Sequence, residues 1–211
     1  MSGKKSLCVL TFTYHRKHLI VAIGNECYVT LSKGQIPPTK TAGDYPNTTL
    51  VPGGGHVLIV PIAHYPTIQS IAPDLAQGII TEINRLVLQS LAFVPKWKGS
   101  HLHRYKTALQ NFYAEHGAAM ISFEVARVSA KGGHAHIQIV PVPKSLANKV
   151  EDAFVSEGKR VGLEPERDTQ GALKACGEGK KSYFRVDLPD GRVLVWLFDS
   201  AGRSFSLQFG R

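Results

Sequence analysis

Turn-forming residues near both ends of the chain constrain the fold more than any other feature of the sequence. Gly24-Asn25 and Pro189-Asp190-Gly191 each lie between two short runs of strand-forming residues. Asn, Asp and Gly at such junctions favour tight turns that join antiparallel strands. Two β-hairpins are therefore expected, one pairing residues 18–23 with residues 26–31 and the other pairing residues 183–188 with residues 193–198.

Between the hairpins, the hydrophobic pattern changes from strands to helices and back. Apolar runs predict three further strands, at residues 56–61, 118–127 and 134–142. Apolar residues at helical spacing predict three helices: one that opens at Pro73-Asp74, a second over residues 102–116 and a third over residues 144–157. Residues 35–55 have the composition of a long loop and residues 169–181 that of a flexible linker. This order of elements predicts an α+β fold with a mainly antiparallel sheet.

Charge and cysteine content narrow the class of protein. The 211 residues carry a net charge of +9, which favours a polyanionic partner because neutralised phosphates release counterions. A basic surface that contacts only solvent would give the same net charge. Cys8, Cys27 and Cys176 are spaced neither as a disulfide framework nor as a zinc site, so a reducing compartment is expected. The apolar runs fall far short of the roughly 20 residues that span a bilayer, so a soluble intracellular protein is expected.

The segment His134-Ala135-His136-Ile137-Gln138 carries the strongest chemical pattern. In a strand, alternate side chains share a face, so His134, His136 and Gln138 are expected to project together. A neutral imidazole can attack phosphorus, and its neighbours can hold the tautomer and donate to phosphate oxygens. The preceding turn adds three candidate phosphate contacts, which are Ser129, Lys131 and the backbone of Gly133.

Two other interpretations of the His-x-His pattern stay open at this point. It can be the polar face of a solvent-exposed strand, or one part of a metal site. A metal would need a third ligand, and neither Cys8 nor the scattered acids provide one at a recognisable spacing. No metal and no cofactor are therefore expected.

A basic connector between the first two predicted helices is a candidate RNA contact. It contains Lys96, Trp97, Lys98 and Arg104, and residues 96–106 include no acid. Cations interleaved with aromatic side chains suit single-stranded RNA, which binds by backbone electrostatics and base stacking. The alternative is that these residues form the solvent-exposed N-terminal part of a helix and bind no RNA.

A second histidine pair makes the pattern more specific. His56 and His64 flank an apolar strand, and Gly-His-x-His-x-Gln-x-x-Pro follows two helices later at residues 133–141. This arrangement resembles the histidine-triad superfamily, and within it the CwfJ C-terminal family, nearest to the branch associated with the lariat-debranching enzyme. The resemblance implies a histidine-triad-like domain over residues 1–145, with a mainly antiparallel sheet and flanking helices. It also implies a smaller β-containing second region over residues 146–211, expected to be cut short at its C-terminal end.

The resemblance also assigns roles to the histidines. His136 stands at the position of the nucleophile and His134 at that of the first triad histidine, with His56 and His64 lining the same pocket. Gln138 stands where many histidine-triad hydrolases have a third histidine. An amide cannot protonate a leaving group as an imidazolium can, so phosphate binding without turnover remains open beside catalysis.

The function implied by the resemblance is that of an RNA-processing factor in splicing or intron-lariat debranching. Its expected partners are lariat or single-stranded RNA and either the debranching enzyme or spliceosomal proteins. A monomer is expected, without a membrane association, in the nucleus and also in the cytoplasm. The alternative is a nucleotide hydrolase or nucleotidyltransferase that acts through a covalent His136 intermediate.

Overall fold

One antiparallel sheet organises the parts of the chain that a computed structural model describes, which are residues 17–34, 36, 51, 54–72, 110–128, 133–177, 181–198 and 209–210. The sheet has seven strands in the order β1-β2-β3-β5-β4-β6-β7, and every neighbouring pair is antiparallel. The strands are β1 (Ile20–Ile23), β2 (Cys27–Leu31), β3 (Val57–Pro61), β4 (Ala118–Ala126), β5 (Ile137–Pro143), β6 (Ser182–Asp187) and β7 (Val193–Phe198).

α-Helices and short 3₁₀ segments accompany the sheet in the described residues. The helices are α1, of which residues 110–115 are described, α2 (Val150–Arg160) and α3 (Thr169–Cys176), and the 3₁₀ segments described in full are Lys17–Leu19, Ile68–Ser70 and Lys144–Lys149. These elements confirm the predicted α+β class and the antiparallel sheet. None of the described helices is long and apolar enough to cross a membrane.

Both predicted hairpins are confirmed. β1 pairs with β2 across Gly24-Asn25, where the Gly24 N–H donates to the Cys27 carbonyl oxygen at 2.9 Å. β6 pairs with β7 across Pro189-Asp190-Gly191, and Gly191 has φ +89°, a conformation that a residue without Cβ adopts at little cost. Turn chemistry thus determined the register of the sheet at both of its edges.

The strand predicted at residues 134–142 begins later than expected. β5 starts at Ile137, which lies opposite Ile59 of β3. The preceding residues bond elsewhere: the Ala135 N–H donates to the Tyr65 carbonyl oxygen at 2.7 Å. His134 and His136 therefore lie in a segment that approaches the strand, and the alternation rule does not apply to them.

Two predictions for the C-terminal part were wrong in detail. The helix predicted at residues 144–157 is a 3₁₀ segment followed by α2, which continues to Arg160. The linker predicted at residues 169–181 contains α3, whose N-cap Asp168 accepts a hydrogen bond from the Gly171 N–H at 2.9 Å. Ala172 and Cys176, four residues apart, bury one face of α3. Because these two residues are small, their hydrophobic pattern was too weak to predict a helix.

The C-terminal strands extend the same sheet rather than forming a separate one, because β6 pairs with β4 from Ser122↔Asp187 to Ala126↔Tyr183. The division of the chain at residue 145 stays a prediction. The helix expected from Pro73, most of the one expected at residues 102–116 and most of the 35–55 loop lie outside the described residues.

Candidate functional site

The candidate site lies where β3 ends and β5 begins, two neighbouring strands of the sheet. The segment from His134 to His136 crosses the end of β3 before it enters β5. The His134 Nε2 atom lies 2.9 Å from the Pro61 carbonyl oxygen. This contact and the Ala135–Tyr65 backbone bond hold the segment against the residues that follow β3.

The tautomer of His136 follows from its contact with its own segment. Its Nδ1 atom lies 3.0 Å from the His134 carbonyl oxygen, which can only accept a hydrogen bond. Nδ1 must therefore carry the proton, and in the neutral ring the Nε2 atom keeps its lone pair. The side chain is half-buried, so an external ligand can reach it. His136 thus has the tautomer that a nucleophile or a phosphate-contacting acceptor requires.

The surroundings of His134 lower the pKa of its half-buried ring, chiefly by desolvation and further by nearby His64 and His136. Its contact with the Pro61 carbonyl oxygen acts on the pKa in the opposite direction. The contact with the Pro61 carbonyl oxygen places the proton on Nε2. The ring centroids of His64 and His134 lie 4.9 Å apart, and His64 is exposed. Two imidazoles, one exposed and one half-buried, therefore lie side by side in the site.

His56 and Gln138 form a buried pair deeper in the sheet. The His56 Nε2 atom lies 3.0 Å from the Gln138 Oε1 atom, and both side chains are buried. Gln138 lies opposite Leu58 in the β3–β5 register, so His56, two residues earlier on the same face, reaches it diagonally. Gln138 was expected in line with His134 and His136, but it is buried and bonded to His56, whereas those two rings are half-buried.

Gly55 and Tyr113 support the backbone that carries His56. Gly55 has φ +68°, and a Cβ at this position would lie 2.8 Å from Pro141 Cγ, so only glycine fits. The Tyr113 hydroxyl donates to the Gly55 carbonyl oxygen at 2.6 Å. Burial raises the pKa of Tyr113, which keeps that donor protonated. The sequence predicted only a helix over residues 102–116 here, and this role of Tyr113 was not predicted.

The other candidate residues divide into one that the structure describes and a larger group that it does not. A Cβ on Gly133 would lie 3.3 Å from the Arg127 carbonyl oxygen, so a side chain there would be crowded. Ser129, Lys131, Lys96, Trp97, Lys98 and Arg104 lie outside the described residues. Within the described part of the chain, no three His, Cys, Asp or Glu side chains come together as a metal site would require.

Sequence analysis also missed a buried carboxyl next to the site. Glu124 of β4 is 4% exposed and accepts hydrogen bonds from the Ile68 N–H at 2.8 Å and from the Tyr183 hydroxyl at 2.7 Å. Burial raises the pKa of Glu124 to about 7. The signal was an acidic residue inside the otherwise uncharged strand at residues 118–126.

The fold and the site together define an α+β protein with clustered histidines where two central antiparallel strands meet. Comparison with known proteins gives the family. The model for "Protein similar to CwfJ C-terminal" matches residues 2–155. The chain therefore belongs to the CwfJ C-terminal family, as its motifs indicated.

The relatives are longer proteins. The chain is 33% identical over 195 residues to the CWF19-like protein mug161 of Schizosaccharomyces pombe, covering 92% of this chain and 29% of that protein. It is 31% identical over 202 residues to the zinc finger CCCH domain-containing protein 59 of Oryza sativa subsp. japonica, covering 92% and 26%. For the human CWF19-like protein 1 the values are 28% identity over 201 residues, 92% and 28%. The chain thus spans less than a third of each of these relatives.

Proposed function

We propose that this chain is an RNA-processing factor of the splicing and intron-lariat debranching pathway, which binds RNA and phosphate through a histidine-triad-like site. Membership in the CwfJ C-terminal family supports the pathway. The net charge of +9 supports a polyanionic partner. The proposed location is the nucleus, and also the cytoplasm, with spliceosomal proteins or the debranching enzyme as protein partners.

One observation carries the phosphate site. The Nδ1–H of His136 donates a hydrogen bond to the His134 carbonyl oxygen, so the Nε2 atom is the polar atom of the ring that remains for a ligand. A protonated His136 would donate from Nε2 to a phosphate oxygen, and a neutral one would offer its lone pair to phosphorus. The neighbouring His134 and His64 rings add further nitrogen atoms within the same small area.

The same observation keeps a second function in consideration, a nucleotide hydrolase or nucleotidyltransferase with a covalent His136 adduct. Attack of the His136 Nε2 lone pair on phosphorus would form the N–P bond while the bond to the leaving oxygen breaks. Water or an acceptor hydroxyl would then release the nucleotide and restore the imidazole. The buried Gln138–His56 pair supports binding without turnover, because an amide is a weak proton donor to a leaving group.

Phosphate binding is tested by titrating the full chain with adenosine 5′-monophosphate and with inorganic phosphate, followed by calorimetry and ¹H–¹⁵N spectra of the histidine rings. Binding should shift the His136 ring signals, and His136→Ala should reduce the affinity for the nucleotide at least tenfold. His18→Ala replaces an exposed histidine outside the site and should leave the affinity unchanged. Equal affinity in the parent chain and His136→Ala would reject the site.

Turnover is tested separately with RNA, branched RNA and nucleotide substrates. If the chain is an enzyme, the parent should release a nucleotide or phosphate product, and His136→Ala should release none while it still binds RNA. A phosphoramidate-linked nucleotide on His136, detected by mass spectrometry after rapid quenching, would identify the intermediate. A parent chain without detectable turnover on all three substrates would leave binding as the function.

The basic connector is tested by the salt dependence of RNA affinity. Each lost contact with single-stranded RNA should reduce the slope of log affinity against log salt by about 0.7. Replacing Lys96, Lys98 and Arg104 with Ala should therefore weaken binding and reduce the slope by about 2. Replacing Lys144, Lys149 and Lys159, which are exposed near α2, is the matched control for net charge. Equal slopes in the two triple variants would exclude the connector as the RNA contact.

A further inference from the structure

A buried polar group connects the histidine site to the C-terminal strands. Glu124 of β4 accepts hydrogen bonds from the Ile68 N–H at 2.8 Å and from the hydroxyl of Tyr183 of β6 at 2.7 Å. Tyr183 is fully buried, as is Thr67, and the Tyr183 hydroxyl faces both the Thr67 side chain and the Gln69 backbone. We call Thr67, Glu124 and Tyr183 the polar anchor.

The polar anchor holds a loop that carries part of the site. Residues 64–70 run from His64 through the 3₁₀ segment Ile68–Ser70, and Glu124 takes the first backbone N–H of that segment. Thr67 and Ser70 close the segment with a capping box, in which each side chain binds the other residue's backbone N–H. The loop therefore has a defined shape and a fixed attachment to the sheet.

The same loop holds the segment that bears the two site histidines. The Tyr65 carbonyl oxygen accepts the Ala135 N–H at 2.7 Å, and Ala135 lies between His134 and His136. The His64 ring packs beside the His134 ring. A chain of hydrogen bonds thus runs from Tyr183 through Glu124 and the loop to the backbone of the histidine segment.

A buried carboxyl costs free energy unless its surroundings compensate for it. Burial raises the pKa of Glu124, whereas the hydrogen bonds from Ile68 and Tyr183, together with the charge of Arg185, lower it. An apolar residue would fill this position in β4 without that cost. The directional contacts of the carboxyl are therefore the advantage that a glutamate offers here.

From these contacts we propose that Glu124 and Tyr183 are positioning residues that hold the 64–70 loop, and through it the His134–His136 segment, in the geometry that binds phosphate. Tyr183 lies on β6, beyond the residues matched by the family model, so the C-terminal strands complete the site of the preceding part. The proposal rests on the proposed phosphate site, but its structural part is measurable without a ligand.

The test uses the full chain with Tyr183→Phe and Glu124→Gln, which change the volume little. Each should raise the hydrogen-exchange rate of the Ala135 amide at least tenfold relative to the parent. Each should also weaken binding of adenosine 5′-monophosphate about tenfold, the effect of losing one buried hydrogen bond. Tyr28→Phe is the matched control, because Tyr28 is a half-buried tyrosine of the same sheet that lies on β2, opposite Val60, and belongs neither to the polar anchor nor to the 64–70 loop. It should change neither quantity.

The outcomes separate this proposal from the proposed function. If the parent does not bind the nucleotide, the phosphate site fails, and faster Ala135 exchange in both variants still supports the positioning role. If the parent binds but neither variant changes Ala135 exchange or affinity, the positioning role is overturned. If both variants unfold, hydrogen exchange of the parent chain provides the test. The proposal requires that the Ile68 and Ala135 amides exchange with the same free energy of opening. Different opening free energies for the two amides would overturn it.

Discussion

Consecutive residues of β6 face two layers that differ in kind. Tyr183 points to the side of the polar anchor, where hydrogen bonds connect the sheet to the histidine site. Phe184 points to the other side and joins an aromatic cluster with Phe154, Trp196 and Phe209, with ring centroids 4.9–5.7 Å from its own in all three pairs. Both residues are fully buried. One side of the sheet is joined here by aromatic packing, whereas the other adds directional hydrogen bonds that reach the histidine site.

A substitution in the aromatic cluster should have the largest effect on the free energy of unfolding. Phe184→Ala removes a fully buried ring from the centre of the cluster and should lower the free energy of unfolding by about 3–5 kcal/mol. Urea denaturation followed by circular dichroism measures the change. The affinity for adenosine 5′-monophosphate of the fraction that stays folded should not change.

The conservative variant Phe184→Leu provides the control for this prediction. It keeps an apolar side chain in the cluster and should cost clearly less than Phe184→Ala. A loss of nucleotide affinity in folded Phe184→Ala would contradict the separation of the two layers, because it would show that the aromatic side also positions the site.

The polar anchor should make the free energy of unfolding depend on pH. The pKa of Glu124 is raised by burial from 4.5 to about 7 in the folded chain, so the folded state holds the proton more tightly than the unfolded state does. The resulting stabilisation is fully present below about pH 4.5 and is lost as the pH rises through about 7. The size corresponds to roughly 3 kcal/mol for a shift of this magnitude.

The measurement compares the parent chain with Glu124→Gln by urea denaturation from pH 4.5 to pH 8. Glutamine does not titrate, so the difference in unfolding free energy between the two chains should drift over this range and level off above it. A difference that stays constant with pH would mean that Glu124 has an ordinary pKa in the folded chain.

The sequence predicted those features of the fold that neighbouring residues determine. Local signals sufficed for the hairpins, since Gly24-Asn25 and Pro189-Asp190-Gly191 determine turns without help from distant residues. The runs of strand-forming residues on either side of the second turn likewise predicted the strands at residues 183–188 and 193–198. The pairing of β6 with β4 had no local signal, because nothing in either strand specifies its neighbour in the sheet.

The histidine segment shows where local reasoning failed. Alternation predicted one polar face for residues 134–138, but a hydrogen bond from Ala135 to Tyr65, 70 positions away in the chain, keeps the first three residues out of the strand. The partnership of Glu124 with Tyr183 is equally distant in sequence, at 59 positions. Contacts of this kind depend on the assembled sheet and could not be derived from spacing.

The smallest expected effect concerns a second phenol next to the site, Tyr113, and it sharpens the comparison further. Tyr113→Phe removes the hydrogen bond to the Gly55 carbonyl oxygen and should lower the free energy of unfolding by only about 1 kcal/mol, the usual contribution of one such bond. If contacts on this side act through geometry, this small loss should still shift the His56 ring signals, because Gly55 directs the chain into the His56–Gln138 pair. Unchanged His56 signals would show that the fold of β3 alone positions His56, and the role of geometry would then be confined to the polar anchor.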